Sequence, residues 1–379
     1  MARLALTAIG AVSATCTTIS RAATAGNWSA NFDHQGMLAF GTLESSPFSM
    51  NGSLFIMGSK MGPFAPDGKA HSFFCVINAA TGRTVSCPNS SSGFAFMSAI
   101  MDVAHNVVWV FGSAWDRPNN KNPGCQPWGC GACAQGHCYV AAWSSSDLVT
   151  WGGPYVTVEL PPNKTVPNVG VGLVPASAPP LPGVPRHQAF MVLEGLGGIA
   201  VNTRADGDLS SGWVLLNSSE YAVNGLAAGC PSARYAAGWY YAMGGGNYVW
   251  LARSANLTSH SWEYAPRGTV EQGCVCGLED CGPGTAVARI APGYYSEYWA
   301  NGSDHGGRAY LGNLSSWNWA ANDVDFCDAG GAPPTTFIYG ISVNDAAPKN
   351  WTGAAQNGYQ IGTFNGTTGE WLASFWAPA

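Results

Sequence analysis

The chain has 379 residues, of which 49 are Gly, 24 Pro and 16 Trp, 46% are hydrophobic and only 10% charged; that is room for one large all-β domain or two smaller ones. Glycine and proline punctuate it too often for long helices. The formal net charge is −6, from 16 basic and 22 acidic residues, and no basic run occurs, which argues against nucleic acid as a partner.

At the N-terminus, Arg3 supplies a charge, Leu4 to Val12 form a short apolar run, and small residues follow at Val12-Ser13-Ala14 and Ala23-Thr24-Ala25. This is the pattern of a signal peptide over residues 1–25, ahead of a single domain over residues 26–379. The run is too short to cross a bilayer, and no later stretch has the length of apolar residues that a span needs. Asn-X-Ser/Thr sequons begin at Asn27, Asn51, Asn89, Asn163, Asn217, Asn256, Asn301, Asn313, Asn350 and Asn365. Together these features predict a secreted glycoprotein. Twelve cysteines in such a chain imply disulfides. Cys75 and Cys87 flank a hairpin turn at Ala79-Ala80-Thr81-Gly82, where they can bridge its two strands. Cys125, Cys130, Cys133 and Cys138 lie in one Gly/Pro/Asn-rich insertion, and Cys274, Cys276 and Cys281 in a second. The first group has a spacing that also fits zinc, but an oxidising compartment favours disulfides.

In chain order a repeated unit emerges: a strand, a turn, a second strand, then a third ending in a Ser/Asp/Trp phrase. The phrases are Ser144 to Trp151, Asp206 to Trp213 and Ser254 to Trp262, with Trp residues 62 and 49 positions apart. Unit one runs Leu43 to Met50, turns at Asn51-Gly52, and returns from Ser53 to Met57; Asn-Gly between apolar runs is a strong hairpin signal. Unit two pairs Phe96 to Met101 with Val107 to Phe111, and its turn places Asp102 at an outer hairpin tip. Unit three pairs Asn168 to Leu173 with His187 to Glu194, and unit four pairs Gly229 to Tyr235 with Trp239 to Met243. Unit five is Trp319 to Cys327 followed by Thr336 to Gly340, and Gln360 to Phe364 with Glu370 to Phe375 close the last blade. Five such units predict an all-β, five-bladed β-propeller with disulfide-rich loop insertions. A pair of β-sandwiches is the alternative.

Asp323 and Asp325 stand two apart in a predicted strand, where residues i and i+2 point to one face. In a chain this poor in charge they read as one wall of a carboxylate-lined pocket, against the plainer reading of a capped turn.

Four phrases carry a resemblance. They are Gly41 to Pro47, Ser146-Asp147-Leu148-Val149-Thr150-Trp151, Cys230-Pro231-Ser232-Ala233 ahead of Gly238 to Tyr241, and Asn322-Asp323-Val324-Asp325-Phe326-Cys327. In this order they resemble the five-bladed propeller superfamily of glycoside hydrolases, families 43 and 32, and within it a divergent family-43-like branch. The resemblance implies a carbohydrate substrate and carboxylates where the innermost strands begin. Glu44 matches the first-blade acid, as Glu where family 43 has Asp. The family's general acid precedes a Pro; the matching position here, Gly229-Cys230-Pro231, has no carboxylate, and no third acid matches near Asn168. Glu194, at the end of a returning strand, is a replacement that reaches the same end of the sheets; its plainer role is a salt bridge to Arg186 or Arg204.

The catalytic candidates are therefore Glu44, Asp323, Asp325 and Glu194, since glycoside hydrolysis needs two carboxyl groups in opposite protonation states. Candidates for substrate contact are Asp33 ahead of the first blade, Asn168, Arg234, Asn322 and Gln356; Arg234 serves equally as partner to an acid. Trp115, Trp128 and Trp299 lie in loops, where aromatic rings stack on sugars. His34, His187 and His305 show no ligand spacing, so no metal and no cofactor is expected. Two functions stay open: a glycosidase acting on a carbohydrate, and a catalytically inactive propeller that binds a glycan or an extracellular protein, with association to matrix or cell wall.

Overall fold

The computed structural model describes residues 32–40, 42–62, 71–114, 139–160, 168–194, 198–223, 231–245, 249–264, 318–328, 335–344, 357–364, 366–374 and 376. Gln356, His305, Trp115, Trp128, Trp299, the residues read as a signal peptide and the cysteine-rich insertions lie outside them. The chain opens with β1 (Phe32–Phe40). Four sheets then form in succession, each from four consecutive antiparallel strands. They are β2 (Thr42–Met50), β3 (Ser53–Gly62), β4 (His71–Asn78) and β5 (Thr84–Ser86); β6 (Phe94–Asp102), β7 (Val107–Ala114), β8 (Tyr139–Ser145) and β9 (Gly152–Glu159); β10 (Val169–Leu173), β11 (Ala189–Leu193), β12 (Gly198–Asn202) and β13 (Trp213–Leu215); and β14 (Ser232–Ala236), β15 (Trp239–Gly245), β16 (Val249–Ser254) and β17 (Glu263–Tyr264). After β18 (Asn318–Asp328), β19 (Thr335–Asn344) and β20 (Asn357–Phe364) comes a short helix, α1 (Thr368–Ser374). The fold is an all-β propeller.

Four blades, where five were expected, are built as the repeated unit suggests. The remaining four-stranded sheet joins the two ends of the chain, in the order β1-β20-β19-β18. Its outer strand is supplied by β1, which pairs Phe32 with Phe364, and not by Glu370 to Phe375. That last stretch begins as helix α1, and its sequence explains why. Thr367 and Glu370 form a capping box: the Thr367 hydroxyl accepts from the Glu370 N–H at 3.2 Å, and the Glu370 carboxylate accepts from the Thr367 N–H at 2.7 Å. Helical spacing then buries Trp371 and Leu372 side by side, and α1 packs on β14 and β18.

The hairpin signals are obeyed. Asn51 and Gly52 take φ of 51° and 73°, the left-handed pair that a two-residue turn requires. At Ala79 to Gly82 the Asn78 side chain accepts from the Thr81 N–H at 3.0 Å, and the Cys75–Cys87 disulfide closes the hairpin beyond it. This is the only disulfide among the described residues. The Ser/Asp/Trp phrases are corners leading from third strands. The Ser145 hydroxyl accepts from the Leu148 N–H at 2.8 Å, and one Asp147 oxygen accepts from the Val149 and Thr150 N–H groups at 2.8 and 2.7 Å. Leu148 is thereby driven to φ 64° and buried. Ser254, Asn256 and Leu257 repeat the device, with Leu257 at φ 65°.

The inner strands β11 and β12 bury both faces because a sheet lies on either side of them, whereas the outer strands β5, β9 and β13 are partly exposed. Met191 and Leu193 pack with Trp109, Phe111 and Val140 of the preceding sheet. Their neighbours Phe190 and Val192 pack with Ala233, Tyr240 and Ala242 of the following one. First strands meet first strands: β2 packs on β6, β6 on β10 and β10 on β14. The β10–β14 contact is close enough to exclude side chains. A Cβ on Gly170 would lie 2.4 Å from the Pro231 carbonyl oxygen, and one on Gly172 would lie 3.0 Å from that of Ala233. β18 lies beside β2, β14 and β15.

Candidate functional site

The first strands carry the candidate residues, and a recurring irregularity shapes them. In β2, Thr42 pairs with Lys60 and Ser45 with Gly58, so three steps on one strand match two on the other. The same bulge falls between Ala95 and Ser98 in β6 and between Asn322 and Asp325 in β18. Glu44 thus sits in one bulge and Asp323 in another. Bulges re-aim side chains and gather near functional sites. The expectation that Asp323 and Asp325 share a face assumes regular alternation, and the register shifts between Asn322 and Asp325. The residue after each bulge is Ser45, Ser98 or Asp325, and these are only 3%, 3% and 4% exposed. The side chains of Glu44, Asp323, Asn322 and Asp33 lie outside what the structure describes, although their backbones are placed.

Asp325 is bound to Arg234. The guanidinium of Arg234, on β14, donates to Asp325 Oδ1 at 2.7 Å, with the two side chains 11% and 5% exposed. It also donates to the Val171 carbonyl of β10 at 3.2 Å and to the Ala233 carbonyl at 2.7 Å. One cation therefore ties together three first strands from three sheets. Of the two roles open for Arg234, pairing with an acid is the one observed.

Glu194 follows β11 directly and lies across from Asn168, the residue before β10. The Glu194 N–H donates to the Asn168 carbonyl at 2.9 Å. In return, Glu194 Oε2 accepts from the Asn168 backbone N–H at 3.3 Å and from its side-chain amide. Neither arginine proposed as partner takes that place. Arg204 pairs with Asp206 at 2.5 Å and Asp208 at 3.4 Å, and Arg186 donates to the Ala176 carbonyl at 2.6 Å. Asn168 stands three residues before Val171, about 10 Å along the strand. The Asn168–Glu194 pair is thus at the opening of β10, and the Arg234–Asp325 pair is further in.

Other candidates fall elsewhere. Asp33 pairs with Thr363 in the edge strand β1, separated from β18 by two strands, roughly 14 Å, so it is not brought to the first strands. Asn322 pairs with Gly340 on the near side of the β18 bulge. Asp102 is at a hairpin tip as expected, accepting from the His105 N–H at 3.3 Å and bonded to His105 Nδ1 at 2.6 Å. His187 Nδ1–H donates to the Pro185 carbonyl at 2.8 Å, which leaves Nε2 to accept from the Tyr240 hydroxyl at 3.0 Å. Burial pushes the His187 imidazole below its ordinary range and the Tyr240 hydroxyl above its own. His187 is a half-buried residue whose two ring nitrogens are both bonded within the protein. Among the described residues no group of three or more His, Cys, Asp and Glu is placed to hold a metal. Also among them, no helix is long and apolar enough to cross a membrane.

The Val171 carbonyl, a third partner of Arg234, was not among the candidates. A backbone acceptor carries no sequence signal of its own.

No protein-family model matches the chain, and no curated protein matches it. Among solved structures the chain is similar to a xylan β-1,4-xylosidase from Bacillus halodurans, at 10% identity and TM-score 0.45, over 86% of this chain and 53% of the other. It thus spans about half the length of that enzyme. It is similar also to an α-L-arabinofuranosidase from Lactobacillus brevis, at 10% identity, TM-score 0.43 and coverage of 87% and 94%. A third is the GH43 endo-arabinanase from Bacillus licheniformis, at 11% identity, TM-score 0.41 and coverage of 85% and 94%.

Proposed function

We propose that this chain is a secreted glycoside hydrolase of the family-43-like propeller type, acting on a carbohydrate where the first strands begin. In this proposal the sheet β1-β20-β19-β18 completes the ring as a fifth blade, with β18 standing between β14 and β2. The observation that carries the site is the Arg234–Asp325 pair. A buried ion pair is weak as a stabilising device, because desolvating both charges offsets their attraction. Its presence between first strands, in a chain with 10% charged residues, is better accounted for by a site that needs fixed charge. Glu194 and Glu44 supply the carboxyl groups nearer the strand openings. The four sequence phrases that resemble family 43 support the same reading. The N-terminal apolar run and the sequons support secretion; Asn51, Asn89 and Asn217 are exposed.

One observation favours a second reading, a propeller that binds a glycan without cleaving it. Both catalytic candidates whose side chains are described, Glu194 and Asp325, are engaged by groups of the protein itself.

The test is a screen of xylo-, arabino- and galacto-configured glycosides and polysaccharides for turnover and binding, with Glu44→Gln and Glu194→Gln beside the wild type. Turnover that falls about a hundredfold or more in either variant, with binding kept, supports the hydrolase. Binding without turnover, unchanged in both variants, supports the binding propeller. Neither binding nor turnover of any glycan overturns both.

A further inference from the structure

The bonds between Asn168 and Glu194 go beyond holding two strands in register. The strand contact itself is the Glu194 N–H to the Asn168 carbonyl, at 2.9 Å. Two further donors of Asn168, its backbone N–H and its side-chain amide, converge on one oxygen, Glu194 Oε2. Asn168 is 8% exposed, so its amide makes these bonds largely out of water. Donors aimed at a carboxylate oxygen favour the charged form over the protonated one, and they count for more in a drier setting.

The charged groups of the adjoining elements are committed elsewhere. Arg234 of β14 is bonded to Asp325 of β18, Arg204 beyond β12 to Asp206 and Asp208, and Arg186 between β10 and β11 to the Ala176 carbonyl. The donors of Asn168 are neutral, and both bond the Glu194 carboxylate.

We propose that Asn168 is a positioning residue that fixes the Glu194 carboxylate in orientation and in its ionised form. Glu194 is then the charged member of the carboxylate pair, and the proton donor is a different residue. This rests on the hydrolase reading for its meaning in catalysis, but the ionisation itself is measurable without any substrate.

The experiment labels glutamate carboxyl carbons with carbon-13 and follows them by NMR as pH is varied. Glu194 is assigned by the resonance lost in Glu194→Gln. Asn168→Leu removes the side-chain donor but keeps the backbone bonds. Asn168→Asp keeps the shape and places a like charge beside Glu194, and it decides the matter if Asn168→Leu does not fold. In both variants the titration midpoint of Glu194 moves to higher pH than in the wild type. On any glycoside the wild type turns over, the acid limb of the rate–pH profile moves the same way. A Glu194 midpoint that stays where it is in the wild type overturns the proposal. If no glycoside is turned over, the hydrolase reading fails by itself, while the NMR titration still decides what Asn168 does to Glu194.

Discussion

Arg234 and Asp325, 91 positions apart in sequence, meet at 2.7 Å between β14 and β18 with almost no exposure to solvent. Removing one partner strands the other charge in a buried place, at a cost of about 3–5 kcal/mol. Arg234→Met and Asp325→Leu should each lower stability on that scale in chemical denaturation. The double variant Arg234→Met/Asp325→Leu should recover a large part of the loss, because no charge is left unpaired. Losses that simply add would show that the two residues do not act as a pair.

The glycines of β10 make a second prediction. Gly170 faces the Pro231 carbonyl so closely that a Cβ there would lie 2.4 Å from its oxygen, and the atoms it would meet all belong to backbone. No side chain can rotate out of the way. Gly170→Ala should therefore cost about 1–3 kcal/mol as an overpacking change. Gly238 provides a contrast. Its added Cβ meets nothing within 4 Å, and its cost is set only by its φ of +85°. Comparing thermal unfolding of Gly170→Ala and Gly238→Asn, where Asn tolerates such a φ, checks the distinction; equal losses would refute close β10–β14 packing.

Much of the fold was legible because local chemistry and tertiary structure agree. Asn51-Gly52 can hardly avoid a tight hairpin, and the Ser-x-Asp-Leu corner organises its own backbone before any packing occurs. The bulges were not legible, since one extra residue in a strand leaves no mark in an apolar pattern; one of them falls in the stretch that carries Asp323 and Asp325. Nor could the pairing of β1 with β20 be read, because it joins segments more than 300 positions apart. Helix α1 carries a local signal: Thr367 followed three residues later by Glu370 is a helix start, whereas the apolar Trp371 and Leu372 behind it suit a strand equally well. At the site, the register of β10 and β11 made the approach of Glu194 to the start of β10 foreseeable, but the choice of Asn168 as its partner was not.

The Cys75–Cys87 bridge closes a loop of 12 residues around the β4–β5 hairpin. By the loop-entropy estimate such a link is worth about 3 kcal/mol, through restriction of the unfolded chain. Cys75→Ala/Cys87→Ala should lose a comparable amount. Unfolding of the wild type with and without reductant gives an independent value for the same bridge, and agreement between the two assigns the loss to it.

Acid stability should report the corner at Asp147. Backbone N–H groups of Thr150 and then Val149 bond its carboxylate and hold it down to about 2, from an ordinary 3.8. A carboxyl group depressed in the folded state contributes stability that is fully present above its unfolded value. That stability is lost as pH falls through the folded one, here between about pH 4 and pH 2. Asp147→Ala should lower the melting temperature at neutral pH, and the difference from wild type should shrink on acidification through this window. A difference that stays constant down to pH 2 would remove the corner from the acid response.

Glu44 is where structure and chemistry have most to say to each other. It occupies the bulge of β2, immediately before Ser45, which is buried as Asp325 is after the corresponding bulge of β18. A bulge gives one strand a residue that its partner does not match, so side-chain directions change there while Pro47 and Phe48 beyond it stay paired with Ile56 and Phe55. A carboxylate is costly to bury unless it is hydrogen-bonded or used. If Glu44 transfers a proton during glycoside cleavage, Glu44→Gln keeps its size and removes that capacity. The rate should fall by roughly 10²–10⁴, with glycan affinity and melting temperature near those of the wild type. If Glu44 only buttresses the bulge, the same substitution should lower the melting temperature and leave the rate within a few-fold. Measuring turnover, binding and unfolding on one preparation separates these outcomes. A normal rate in Glu44→Gln would leave the first strand of β2–β5 out of the chemistry.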